Sequence, residues 1–130
     1  MSFFGGLSGL FSGGSNGLDE AWNTISSPAE VDELLARTDR PQLVYKHSFI
    51  CSISVFAKSN LESGLDELAE HADLHFIDVR GARDCSLYFA DKVGIRHESP
   101  QLIIVENGKA VFHTSHGGVQ LRNALQAVTP

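Results

Sequence analysis

The spacing of apolar residues changes several times along the chain, and each change predicts an element. Leu43-Val44-Tyr45 and the run Leu74 to Val79 are continuous apolar stretches of the kind buried on both faces, and they predict two central parallel strands. Between them, residues 51 to 63 place Ile53, Phe56, Ala57 and Leu61 on one helical face, a β-α-β crossover that must be right-handed. Ser27-Pro28-Ala29-Glu30 reads as an N-cap serine, a first-position proline and a capping-box glutamate. A helix therefore starts at Ser27, with Val31, Leu34 and Leu35 on its apolar stripe. Ahead of it, Ala21 to Ile25 predicts a short strand with Trp22 in the core.

A further helix is expected from Asp84 to Lys92, burying Leu87, Ala90 and Phe89 and stopping at Gly94, which tolerates a left-handed backbone. Leu102 to Val105 and Ala110 to His113 flank Glu106-Asn107-Gly108-Lys109, and Asn-Gly supplies the positive φ angles of a type I′ hairpin. Past Gly117-Gly118, Leu121, Ala124, Leu125 and Val128 fall at i, i+3, i+4 and i+7, an amphipathic C-terminal helix. The expected order is β-α-β-α-β-α-β-β-α, an α/β fold with a central mixed sheet flanked by helices.

Residues 1–17 hold Phe3, Phe4, Leu7, Leu10 and Phe11 among six glycines. Too little apolar surface is available there to offset backbone ordering, and the glycine spacing does not favour docking, so the segment reads as a flexible tail ahead of one domain, 18–130. A net charge of −6 gives no reason to expect nucleic acid or an anionic membrane as partner. No apolar run reaches the roughly 18 residues of a membrane span, and the N-terminus lacks the charge and continuous apolar core of a secretory signal. Two cysteines, Cys51 and Cys85, are too few for a disulfide framework or a zinc site, which points to a reducing compartment and a cytoplasmic protein.

Cys51 follows a buried strand and opens a helix, where unpaired N–H groups and the helix dipole stabilise a thiolate. In Cys51-Ser52-Ile53-Ser54, serine stands where a dithiol exchanger carries its second cysteine, so resolution must come from another thiol. The Ser54 hydroxyl either donates toward the thiolate or simply caps the helix. Ser99-Pro100 directly precedes a strand; a cis peptide there would present the Ser99 backbone for pairing with an extended substrate chain, and a trans proline would only punctuate the loop.

With these elements in this order, Cys51-Ser52-Ile53-Ser54 and Ser99-Pro100 resemble the thioredoxin superfamily. Lys46-His47-Ser48, Val93-Gly94-Ile95-Arg96-His97-Glu98-Ser99-Pro100-Gln101 and His113-Thr114-Ser115-His116-Gly117 resemble the YtxJ-like monothiol bacilliredoxins of the bacillithiol system. The similarity runs from Trp22 to the C-terminus, with Phe49-Ile50 departing from the small, polar or basic residues usual before that cysteine. It implies a thioredoxin-like fold and a protein that takes bacillithiol from mixed disulfides on other proteins. In that reading Cys51 attacks and free bacillithiol, a co-substrate and not a tightly bound cofactor, resolves. Arg83 could then hold a carboxylate of the bacillithiol malate, or else be surface charge.

Gly117 and Gly118 could bind the same carboxylates through N–H groups at a helix start, or merely initiate that helix. Lys46 and His47 either favour the thiolate by charge, His47 being partly protonated, or mark a solvated strand end. Cys85 beside Leu87 reads as a small core residue before it reads as a resolving thiol, and Arg80 as surface charge. His71, His75, His113 and His116 read as surface histidines and not as metal ligands. Two other classes stay open: an iron–sulfur carrier using Cys51 and an external thiol, and a redox-inert module that docks peptides at Ser99-Pro100.

Overall fold

In the computed structural model, which describes residues 18–130, five strands form one mixed sheet with helices on both faces. The strands are β1 (Asn23–Thr24), β2 (Gln42–His47), β3 (Asp73–Asp78), β4 (Gln101–Glu106) and β5 (Lys109–Ser115). The helices are α1 (Pro28–Ala36), α2 (Ser52–Glu62), α3 (Leu65–His71), α4 (Arg83–Val93) and α5 (Leu121–Val128). The strand order is β1-β3-β2-β4-β5, with β1, β3 and β2 parallel and β4 antiparallel to both β2 and β5. Residues 1–17, to which the tail expectation applies, lie outside the described residues.

Local chemistry accounts for the boundaries. The Ser27 hydroxyl accepts from the Glu30 N–H, Pro28 opens α1, and the Glu30 carboxylate returns to the Ser26 N–H, closing the capping box one residue earlier than expected. Gly94 ends α4 at φ 71°, and Asn107 and Gly108 take φ 53° and 80° in the β4–β5 turn.

Alternating side chains of the sheet feed two cores. Tyr45, Phe76, Leu102 and Ile104 pack with Trp22, Leu61, Leu68 and Val128 under α2, α3 and α5. Val44, Ile77, Ile103 and Val105 pack with Val31, Leu34, Cys85 and Phe89 under α1 and α4.

Three expectations are corrected. The first crossover is two helices, not one: α2 ends at Glu62 and α3 begins after Gly64. A Cβ on Gly64 would lie 2.5 Å from Leu121 Cδ2, so α5 packs on the corner where the chain bends. On α2 the buried residues are Ser54, Ala57 and Leu61, whereas Ile53 and Phe56 face outward, 47% and 75% exposed. Small side chains, not large ones, let this helix approach the sheet. On α4, Cys85, Ser86 and Phe89 are buried and Leu87 is exposed, so the inner face is set by residues 85, 86 and 89, with the buried Lys46 of β2 donating to the Ser86 C=O.

Candidate active site

The site sits where β2 ends. Parallel β2 and β3 finish in register, His47 opposite Asp78, and Val79 N–H donates to His47 C=O at 2.9 Å, so the loops after both strands emerge together. The loop after β2 carries Cys51, the N-cap of α2 in an extended conformation and half-buried. Its thiol is held below the ordinary value, first by the Ser54 N–H, against opposing desolvation, with the Ile53 N–H and the Ser54 hydroxyl adding to the lowering. The Ser54 hydroxyl oxygen is buried with no hydrogen-bond partner among the described residues, and its part in the lowering is the smallest. At neutral pH a larger share of this sulfur is thiolate, the form that attacks in exchange, than in an ordinary cysteine.

The Ser99–Pro100 peptide is cis, and Pro100 is buried at the entrance to β4. The Ser99 N–H and C=O take no hydrogen bond among the described residues, and its hydroxyl is also unpartnered. The Pro100 C=O accepts from His116 N–H at 2.9 Å, which ties a 3₁₀ turn, His116–Gly118, to the proline; the same turn packs on α2. Cys51, Ser54, Ser99-Pro100 and Gly117-Gly118 are thus brought to one end of the sheet. Gly117 and Gly118 do not start a helix, however, since α5 has Gln120 as its N-cap. Their carbonyls accept from Gln120 Nε2 and Asn123 Nδ2, and a Cβ on Gly118 would overlap the Thr114 hydroxyl. Arg83 is exposed at the first residue of α4, on the neighbouring loop.

His47 stands differently from its expectation. It is buried under Phe49, whose ring centroid lies 4.4 Å away, and bonded to Tyr45 Oη at 2.8 Å. The Tyr45 proton goes to the Ser54 C=O, so His47 Nδ1–H is the donor in that contact. Burial lowers the His47 pKa to about 4, and the ring is neutral near pH 7. It supplies no charge to the thiolate; it supports the first turn of α2 through Tyr45.

His75 is likewise buried, not on the surface: its Nε2 lies 2.7 Å from Gln42 Oε1, and burial lowers its pKa to about 4. Cys85 is buried in the core on the other face of the sheet, and burial pushes its thiol up to about 11. Lys46 is fully buried there too.

Apolar side chains flank Cys51 in the sequence and reach the surface: Phe49, Ile50, Ile53, Val55 and Phe56 are 45% to 75% exposed. Phe49 and Val55 continue into a groove of about 570 Å³ along α2, lined also by His47, Lys58, Ser59 and Glu62. Sequence periodicity missed this surface because it assigned Ile53 and Phe56 to the core. Among the described residues no group of three metal-ligating side chains converges, and no helix is long and apolar enough to cross a membrane.

Comparison with known proteins agrees with this geometry. The family model for the monothiol bacilliredoxin BrxC matches residues 23–124. A solved structure with a thioredoxin fold, described as a candidate oxidoreductase, is 30% identical with a TM-score of 0.73, covering 82% of this chain and 93% of that one. Thioredoxins of Malassezia sympodialis (17% identity, TM-score 0.64, 82% and 87% covered) and Trypanosoma brucei brucei (15%, 0.66, 82% and 89%) share the architecture. The fold is the thioredoxin fold.

Proposed function

The chain belongs to the monothiol bacilliredoxin family, and on that premise we propose that it removes bacillithiol from protein mixed disulfides through Cys51. The observation that carries this reading is a single activated thiol: Cys51 caps a helix with Ser54 where a dithiol motif has its second cysteine, and Cys85 lies on the far side of the sheet. The Cys51 thiolate attacks the bacillithiol sulfur of the mixed disulfide, the S–S bond breaks, and the target sulfur leaves as a thiolate that takes a proton from water. A second bacillithiol thiolate then attacks the bacillithiol sulfur on Cys51, releasing bacillithiol disulfide and the free Cys51 thiolate. Each cycle reduces one target mixed disulfide to its thiol and oxidises one free bacillithiol into bacillithiol disulfide, which a separate reductase must return to the thiol.

The unpaired Ser99 backbone suits strand pairing with an extended target segment, and the exposed Ile50 and Phe56 favour a protein over a small disulfide as first substrate. Arg83 and the Gly117-Gly118 N–H groups are the candidates to hold bacillithiol carboxylates, with bacillithiol acting as co-substrate in a cytoplasmic setting. The test is turnover of a bacillithiolated protein with bacillithiol as sole reductant. Target release should keep pace with formation of bacillithiol disulfide, and release without it would overturn the resolving step.

A further inference from the structure

The exchange reaction above leaves one buried cation unused. Lys46 is fully buried with no ion pair among the described residues, although burying a cation without a carboxylate costs more than burying an apolar residue. Its Nζ donates to the Ser86 C=O and to His97 Nδ1, both at 3.1 Å, and lies 5.7 Å from the Phe89 ring centroid. The Ser86 hydroxyl also meets His97 Nδ1, at 3.2 Å. His97 stands two residues before Ser99. Beside Lys46 across the β2–β4 ladder, buried Gln101 holds the same loop by a second route: its Nε2 donates to the Arg96 C=O at 2.9 Å and its Oε1 accepts from the Glu98 N–H at 3.3 Å. One strand, β2, therefore delivers Cys51 at its end and grips the facing loop through Lys46.

We propose that Lys46 is a positioning residue: by holding His97 it sets the Ser99–Pro100 loop against Cys51, and so determines how a mixed disulfide is held and not how reactive the sulfur is. An ammonium only donates, so His97 Nδ1 accepts and the neutral ring carries its proton on Nε2. The groups facing His97 are Lys46 from β2, Ser86 and Arg83 from α4, and Glu98 on its own loop; burial first, then Lys46 and Arg83, depress its pKa, with Glu98 opposing. Protonated His97 would set donor against donor and release the loop in acid. Burial also lowers the Lys46 pKa to about 8, but the free amine keeps enough N–H groups for both bonds, so alkali does not release it.

The inference rests on the exchange reaction proposed above. The experiment measures KM and kcat of full-length wild type, Lys46→Met, His97→Asn and His97→Leu with a bacillithiolated protein near neutral pH and in mild acid. Cys51 alkylation by iodoacetamide is followed alongside. Lys46→Met should raise KM about tenfold while alkylation stays within about twofold, because misplacement and not the nucleophile is changed. His97→Asn keeps an acceptor that cannot titrate, so it should exchange like wild type near neutrality and lose the acid-side rise in KM; His97→Leu should behave like Lys46→Met. If Lys46→Met fails to fold, the contrast between the two His97 variants decides. An unchanged KM in Lys46→Met and His97→Leu, alkylation falling in parallel with exchange, or an acid rise persisting in His97→Asn would overturn the proposal. An inert wild type would instead overturn the exchange reading, and this inference with it.

Discussion

Replacing Ile50 and Phe56 by serine should separate protein substrates from small ones. Ile50 directly precedes Cys51 and Phe56 lies in the second turn of the helix that Cys51 caps, and both have about three-quarters of their surface in water, 74% and 75% exposed. Fully burying a side chain of this size is worth about 1.5–3 kcal/mol, so covering the exposed part contributes at most about 1–2 kcal/mol each. That corresponds to a loss of about 5- to 30-fold in kcat/KM per substitution when the partner covers the residue. A symmetric low-molecular-weight disulfide is too small to cover either side chain and should react with both variants at the wild-type rate. The assay is stopped-flow exchange under second-order conditions with a bacillithiolated protein and, separately, with bacillithiol disulfide. Neither residue is in the core, so thermal unfolding should move little and a folding defect would be visible at once. Equal losses on both substrates would show that the substitutions act on Cys51 itself, and no loss on the protein would show that the apolar surface is not where targets dock.

Ser54→Ala should raise the Cys51 pKa by removing one of the groups that lower it, while the larger contribution of the Ser54 N–H persists; ultraviolet thiolate absorbance against pH reads the change, and an unaltered titration would exclude a role for the hydroxyl. Stability should fall in acid through His47 and His75. Both fold with pKa values of about 4 against an ordinary 6.5, so the unfolded chain takes up protons that the folded chain refuses between those values. The stability they confer is complete above pH 6.5 and is lost as pH falls toward 4, at most about 3 kcal/mol for each histidine. Urea unfolding at several pH values measures it. His75→Gln, which keeps a donor for Gln42 without titrating, should flatten the slope by one proton, and an unchanged slope would contradict the assignment.

The features legible in the sequence are those set by local chemistry. The Ser27 cap, the Asn107-Gly108 turn, the Gly94 stop and the two buried parallel runs each depend on a few neighbouring residues, and each stands where it was expected. The placement of Cys51 at a helix start and of a proline before β4 follows from the same punctuation, whereas the sequence left open whether that proline is cis, as it is, or trans. What escaped is what tertiary packing decides. Helical spacing groups Ile53 with Phe56 and Leu61, but the close approach of α2 to the sheet selects Ser54 and Ala57 for its inner face. Lys46 and His47 look like a polar strand end, yet Lys46 is covered by Ser86 of α4 and His97, and His47 by Phe49. The one available signal was position: a lysine that directly continues an apolar run in a strand expected to be central.

The central claim is that Cys51 alone takes the thiol from the target and needs no second cysteine of its own. The most direct measurement is the intact mass of reduced wild type, Cys51→Ser and Cys85→Ser after mixing each with a bacillithiolated protein. Wild type and Cys85→Ser should gain one bacillithiol while Cys51→Ser gains none and leaves the target modified. A Cys51→Ser variant that still acquires the adduct, or a wild type that never does, would contradict the account.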